Sequence, residues 1–298
     1  MKLINVFYWI CIFLYANYSL TNLTLAAEST IFEDADKLLE EGKYFEAAVA
    51  FERIYFTSED SQNKIIANLK RTEALKQLGE FAKARNDLQR SVHVNTYADL
   101  HQEVLFQMAF CDYMAGNYAS SLSFLSQIDH YYPKLRETIE VERLLALVNV
   151  MLGRWEQAQL HALDLIEKTI SSEVLKDSLS AEIDHLFCSC KWPVEKSDKK
   201  AGMLSTFLPG SGHIYAGYPG KGFLNAGSQL FALSVAGVLM WQGLYITGFI
   251  TGLGLFQSFY FGGIRQATFL ADQSNLKTFA DYKESLSLFI FSIENFRE

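Results

Sequence analysis

Four glycines, Gly42, Gly79, Gly116 and Gly153, stand 37 residues apart. That fixed period limits the first half of the chain to an array of like units rather than one globular core. Around them align EGKYFEAAVAFERI (41–54), LGEFAKARNDLQRS (78–91), AGNYASSLSFLSQI (115–128) and LGRWEQAQLHALDL (152–165). Each glycine sits where a first helix must stop, because glycine accepts the left-handed backbone of a helix C-terminus. Two residues on comes an aromatic, Tyr44, Phe81, Tyr118 or Trp155, sized to plug the gap between two helices. Three further on stands a small residue, Ala47, Ala84, Ser121 or Ala158, and seven before each glycine stand Ala35, Thr72, Ala109 and Ala146. Small side chains at both places let paired helices approach closely. Apolar residues then recur at helical spacing, as in Phe51 and Ile54 or Leu125 and Ile128.

This Gly-x-aromatic-x-x-small signature resembles the tetratricopeptide repeat family over residues 30–170. The chain departs from that family in its period, which is about 34 residues elsewhere, and in having a proline after the second helix only at Pro133. Thr72 is larger than the family's small residue, and Asp34 and Arg71 stand where an apolar side chain is usual. The resemblance implies helix pairs stacked as a solenoid whose concave face binds a protein or peptide. Residues 28–190 are assigned to this domain, with a partial fifth unit over 171–190 as a cap. The rival reading is a homo-oligomer whose repeats serve only as spacer or dimerisation surface.

Charge narrows the partners. Residues 28–190 carry 27 acidic and 16 basic side chains, against 7 and 9 in residues 191–298. An acidic array without a basic patch argues against nucleic acid, whose phosphates need clustered lysine and arginine. Residues 1–27 have Lys2, the apolar run Leu3–Tyr15 and small residues near Ala26 and Ala27, the pattern of a secretory signal peptide. Cys188-Ser-Cys190, with His185 nearby, lacks a clear fourth ligand for a metal and reads as a structural pair. The histidines are scattered and no hydrolase or metalloprotease motif occurs, so neither enzyme activity, cofactor nor metal is expected.

Between Ala201 and Ile264, 64 residues carry one charge, Lys221. The runs 222–242 and 243–264 would each be about 30 Å long as helices, the thickness of a hydrocarbon core. Trp241 and Tyr245 fall at their junction, Asn225, Ser228 and Gln229 cluster on the first run, and Gly248 and Gly252 give the second a small face. Ahead of them lies LPGSGHIYAGYPGKG (208–222), with five glycines and two prolines. Tyr215 replaces the third glycine of a dinucleotide loop, and Gly220-Lys221 lies at the wrong distance from a preceding glycine for a phosphate loop. Ser205, Leu208, Pro209, Gly210, Gly212, Tyr215, Gly217 and Gly222 resemble the turn of small bacterial membrane modules related to the TM-two domain. That resemblance implies a broken segment at the membrane edge followed by a two-helix hairpin, packed against it so that no open backbone faces lipid.

The expected chain is therefore all-α: signal peptide 1–27, repeats 28–190, linker 191–200, membrane domain 201–270 and an amphipathic helix 271–298. It reads as a scaffold tethered to membrane lipid in a bacterial inner membrane, with the repeats exported to the periplasm by the signal peptide. Lys196, Lys199, Lys200 and Arg265 flank the hairpin and by the positive-inside rule favour the reverse orientation. The alternative function is an intramembrane enzyme or lipid handler centred on the glycine loop around His213.

Overall fold

The computed structural model describes residues 29–92 and 96–296; the segment 1–27, expected as a signal peptide, lies outside the described residues. Fourteen α-helices and two short 3₁₀ turns, with no strand, make up the described residues. Two compact units divide them. One takes the described residues up to Phe187 together with those from Leu286 onward, and the other is Cys188–Ser285.

In the first unit the repeat signature sets the helix pairs. They are α1 (Ser29–Glu40) with α2 (Tyr44–Thr57), and α3 (Ser61–Gln77) with α4 (Phe81–Leu88). After them come α5 (Ala98–Met114) with α6 (Tyr118–Tyr131), the single turn α7 (Pro133–Arg136), α8 (Ile139–Leu152) with α9 (Trp155–Thr169), and α10 (Glu173–Phe187). Each long helix packs on the next, and the first helices of successive pairs also touch, α3 on α5 and α5 on α8. One cluster of buried side chains gathers Ala35, Phe51, Ile54 and Leu75, and a second gathers Ile65, Leu88, Val104 and Met108.

Ten consecutive residues of α8, Val141–Val150, are buried, as expected for a helix enclosed on every side. Part of that cover comes from the C-terminus. Leu286, Ile290 and Ile293 are at most 1% exposed, the turn Ile293–Phe296 packs on α9, and Glu294 Oε2 lies 3.1 Å from Arg143 Nη1. The segment expected as a separate helix over 271–298 is instead the end of α14, which runs unbroken from Tyr245 to Ser292. No proline interrupts it, so the change from apolar to polar composition near residue 265 marks no break in the backbone.

The second unit holds a 3₁₀ turn (Ser189–Lys191), α11 (Asp198–Phe207), α12 (Ser211–Tyr215), α13 (Pro219–Trp241) and α14 as far as Ser285. Cys188 and Cys190 form a disulfide, while Cys111 is free and buried. Ser197 caps α11 by accepting from the Lys200 N–H at 3.2 Å, so the last residues of the expected linker form its first turn. Around Ala201 pack Ala216, Ala267, Leu270 and Ala271, a core of mostly small residues. Helix α13 meets α14 closely: a Cβ on Gly252 would overlap the Ala236 side chain, and one on Gly248 would stand 3.1 Å from the Ala236 carbonyl.

Helix α13, with mean hydropathy 1.5, is the one described helix long and apolar enough to cross a membrane. Only 11% of its most apolar stretch is buried, and Phe223, Leu230 and Phe231 stand at least 65% exposed. The expected second span, 243–264, does not reach the same apolarity; Gly248, Gly252, Gly254, Gln257 and Ser258 dilute it.

Candidate functional site

The four repeat turns share one geometry. Gly42, Gly79, Gly116 and Gly153 have φ between +72° and +82°. The next N–H reaches back into the first helix at 2.8–2.9 Å: Lys43 to Leu38, Glu80 to Leu75, Asn117 to Asp112, Arg154 to Asn149. A Cβ on Gly42, Gly79 or Gly116 would meet nothing within 4 Å, so backbone conformation selects glycine there. Tyr44, Phe81, Tyr118 and Trp155 open the second helices, and Ala47, Ala84, Ser121 and Ala158 are wholly buried. The serine adds a bond across its pair, donating to the Ala109 carbonyl at 2.7 Å. Thr72 fits the crowded position by donating to the Asn68 carbonyl of its own helix at 2.8 Å.

Arg71 is a buried ion-pair hub where an apolar residue is usual. Its Nη1 lies 2.9 Å from Glu52 Oε1 and 3.0 Å from Asp87 Oδ2, and Arg90 holds the other Asp87 oxygen at 2.8 Å. Asp34, the other departure, points to solvent. A second hub lies in the fourth pair. The wholly buried Glu142 receives Arg136 Nη1 at 2.5 Å, Lys168 Nζ at 2.7 Å and His161 Nδ1 at 2.5 Å. Burial alone would raise this carboxyl, but the bonds from His161, Lys168 and Arg136 outweigh it and hold it at about 2. Glu142, His161 and Asp164 could bring ligand atoms within 4.8 Å of one another. A dication there would have to displace a guanidinium and an ammonium, so the arrangement fits an ion-pair network better than a metal centre.

Two sets of polar contacts join adjacent first helices. Lys70 on α3 holds both Asp36 oxygens on α1 at 2.6 Å. Lys76 on α3 donates to Gln107 Oε1 on α5 at 2.7 Å, and Gln107 Nε2 donates to Glu103 Oε1 at 2.7 Å. Burial pushes the Glu103 carboxyl up, with Gln107 and Lys76 pulling against it. Burial also raises Glu73; Lys76 opposes this and the Glu103 charge reinforces it. Lys76 is thus the cation that acts on both carboxyls, against the burial that raises them. The spacing of Lys70, Glu73 and Lys76 on one helix and of Glu103 and Gln107 on the next was the available sequence signal. Sequence reasoning assigned no groove residue from it.

Nearby, a cleft of about 720 Å³ is lined by Arg85 and Asn86 of α4, Asp112 of α5 and Tyr118 and Ser120 of α6. Ser120 donates to the buried Asp112 carboxylate at 2.5 Å, and Arg85 Nε approaches it at 3.5 Å.

The glycine and proline motif forms a knot of crossing backbone. Pro209 follows the end of α11, and Gly210 turns the chain with φ +86°. A Cβ on Gly210 would overlap the Gly222 carbonyl, one on Gly222 would come 2.6 Å from the Gly210 oxygen, and one on Gly212 would overlap the Ala201 carbonyl. Ser205 is buried beside Gly212, and Gly217 makes a second turn at φ +96°. The Tyr215 hydroxyl accepts from the Ser197 N–H at 3.1 Å. Lys196 Nζ donates to the Ala216 carbonyl and to Ser274 Oγ, each at 3.0 Å, while Lys196 and Asn275 exchange two bonds at 2.8 Å. The motif residues therefore come together in one turn, locked to α14. His213 is wholly enclosed, its Nε2 3.1 Å from Gln266 Oε1, and presents no atom to a substrate. Compared with known proteins, the chain matches no protein-family model, no curated protein and no solved structure.

Proposed function

We propose that this chain is a non-enzymatic scaffold of the bacterial cell envelope. In this account residues 28–190 form a tetratricopeptide-type solenoid that binds a basic peptide segment of a protein partner. A hairpin made of α13 and the first half of α14 anchors it in a bilayer, with the repeats on the periplasmic side. The observation that carries the recognition step is the Lys76–Gln107–Glu103 chain beside Glu73, where burial has lifted both carboxyls. A partner's lysine or arginine brings positive charge to these two carboxyls and so favours their charged forms. The acidic excess of residues 28–190 supports the same partner chemistry by steering it to the array.

The test uses the full chain in mild detergent, titrated with basic, neutral and acidic peptides of otherwise equal composition. Basic peptides bind, and a Glu73→Gln, Glu103→Gln double variant loses about tenfold or more in affinity, the scale of a lost charge-assisted contact. Raised carboxyl pKa values also set a sign for pH. The carboxyls are raised in the free protein and a bound cation lowers them, so affinity rises as pH climbs from below the ordinary glutamate range. Equal binding of all three peptide classes, or a double variant with unchanged affinity, contradicts the proposal.

A further inference from the structure

We infer that the hairpin carries a headgroup site for an acidic phospholipid, in the cleft between the first two turns of α13 and the middle of α14; this rests on reading α13 as a membrane span. The cleft measures about 460 Å³, within the size range of small-ligand sites. Lys221, Asn225 and Ser228 line it from α13, and Ser258, Gly262 and Gln266 from α14.

Hydrogen-bond accounting gives the cleft its chemistry. Ser228 Oγ donates to the Asn225 carbonyl at 2.9 Å and Ser258 Oγ to the Gly254 carbonyl at 2.8 Å, so their hydrogens are committed within their own helices. Asn225 is occupied at both ends: its Nδ2 donates to the Phe259 carbonyl at 3.3 Å and its Oδ1 accepts from Gln229 Nε2 at 3.0 Å. Gln266 Oε1 accepts from His213 Nε2 at 3.1 Å, which leaves the two Gln266 amide hydrogens uncommitted. The Lys221 ammonium lies 5.0 Å from the Tyr218 ring centre, and no carboxylate lines the cleft.

The open donors are thus the Lys221 ammonium and the Gln266 amide, both on exposed residues. Lys221 stands in the first turn of α13, where the helix dipole adds positive potential. That pair suits a phosphate oxygen. Beside it Phe223 and Leu224 are more than 70% exposed, an apolar wall for acyl chains. A free phosphate ion would satisfy the donors and leave that wall bare, so the lipid is the better occupant. The site would hold the anchor at a fixed depth and favour membranes rich in acidic lipid.

The experiment reconstitutes the full chain into phosphatidylcholine vesicles with and without phosphatidylglycerol, and measures flotation and retention of each lipid on re-extraction in mild detergent. The expected result is flotation with both vesicle types and retention of phosphatidylglycerol over phosphatidylcholine by about tenfold. Lys221→Gln removes that preference. So does Gly262→Leu, which keeps every charge; a Cβ on Gly262 meets nothing within 4 Å, so the new side chain enters the cleft without crowding the helices. Flotation without a preference, or a preference that Gly262→Leu retains, overturns the headgroup site and leaves the anchor intact. Failure to float with either vesicle type overturns the membrane reading itself. Competition by inorganic phosphate at equal concentration would make free phosphate the ligand and overturn the lipid assignment.

Discussion

Two kinds of glycine do different work, and substitution separates them. Gly79 is needed for its φ of +75°, with open space around it. Alanine there costs about 1 kcal/mol, the ordinary penalty for a left-handed residue bearing a Cβ. Gly212 is needed for contact, since a Cβ would overlap the Ala201 carbonyl. Gly212→Ala must shift backbone, and it is expected to cost several kcal/mol or abolish folding of the second unit. Thermal unfolding in detergent reads both. A pH series on Glu142→Gln tests the buried hub. The folded carboxyl sits at about 2 against an ordinary 4.5, a difference worth about 3 kcal/mol at neutral pH. Because the folded value is lowered, that stability is present above about pH 5 and is lost as pH falls towards 2. The variant should therefore be weaker than the native chain at pH 7 and converge on it in acid; a gap that stays constant would mean the hub is not ionised. The repeat glycines and small residues were legible in the sequence because they answer to local backbone and one neighbouring helix. Glu142 and Arg71 were not, since their partners lie up to 26 residues away on other helices.

Helices were legible where a stop signal is local. Gly42, Gly79, Gly116 and Gly153 end first helices in both the sequence and the structure. The long helix α14 was misjudged because composition changes along it while the backbone gives no reason to break. The amphipathic character of 271–298 was legible, but the complete burial of Ile290 was not. Which residues of a stripe turn inward depends on what the segment docks against; the turn that follows the helix packs on α9 and pairs with Arg143 of α8. Ile290→Asp buries a charge without a partner in that contact and should destabilise the repeat unit by about 3 kcal/mol or more. Limited proteolysis would then release the end of the chain, whereas a surface change such as Lys277→Gln would not. Equal protease resistance in the two variants would show that the C-terminal segment is no part of the repeat unit's cover.

At the scale of the molecule, the contrast between units is the strongest statement the amino acids make. The first unit closes its core and pairs the charges it buries, as at Arg71 and Glu142. In the second, the longest apolar surfaces lie open along α13 and the start of α14, where Trp241, Ile246 and Ile250 are at least 66% exposed. Apolar surface on that scale is costly in water and free of cost in hydrocarbon. The polarity break at Ala201 was plain from charge alone; the depth and pairing of the helices needed coordinates, because Asn225, Gln229 and Gly252 show which faces meet. The most direct measurement is the environment of a nitroxide placed at Phe231, in the full chain reconstituted into phospholipid bilayers. The account predicts strong relaxation by dissolved oxygen and almost none by a water-soluble nickel complex, with the reverse for a nitroxide at the exposed Glu156 on the repeats. Equal access of the nickel complex to both positions would contradict it.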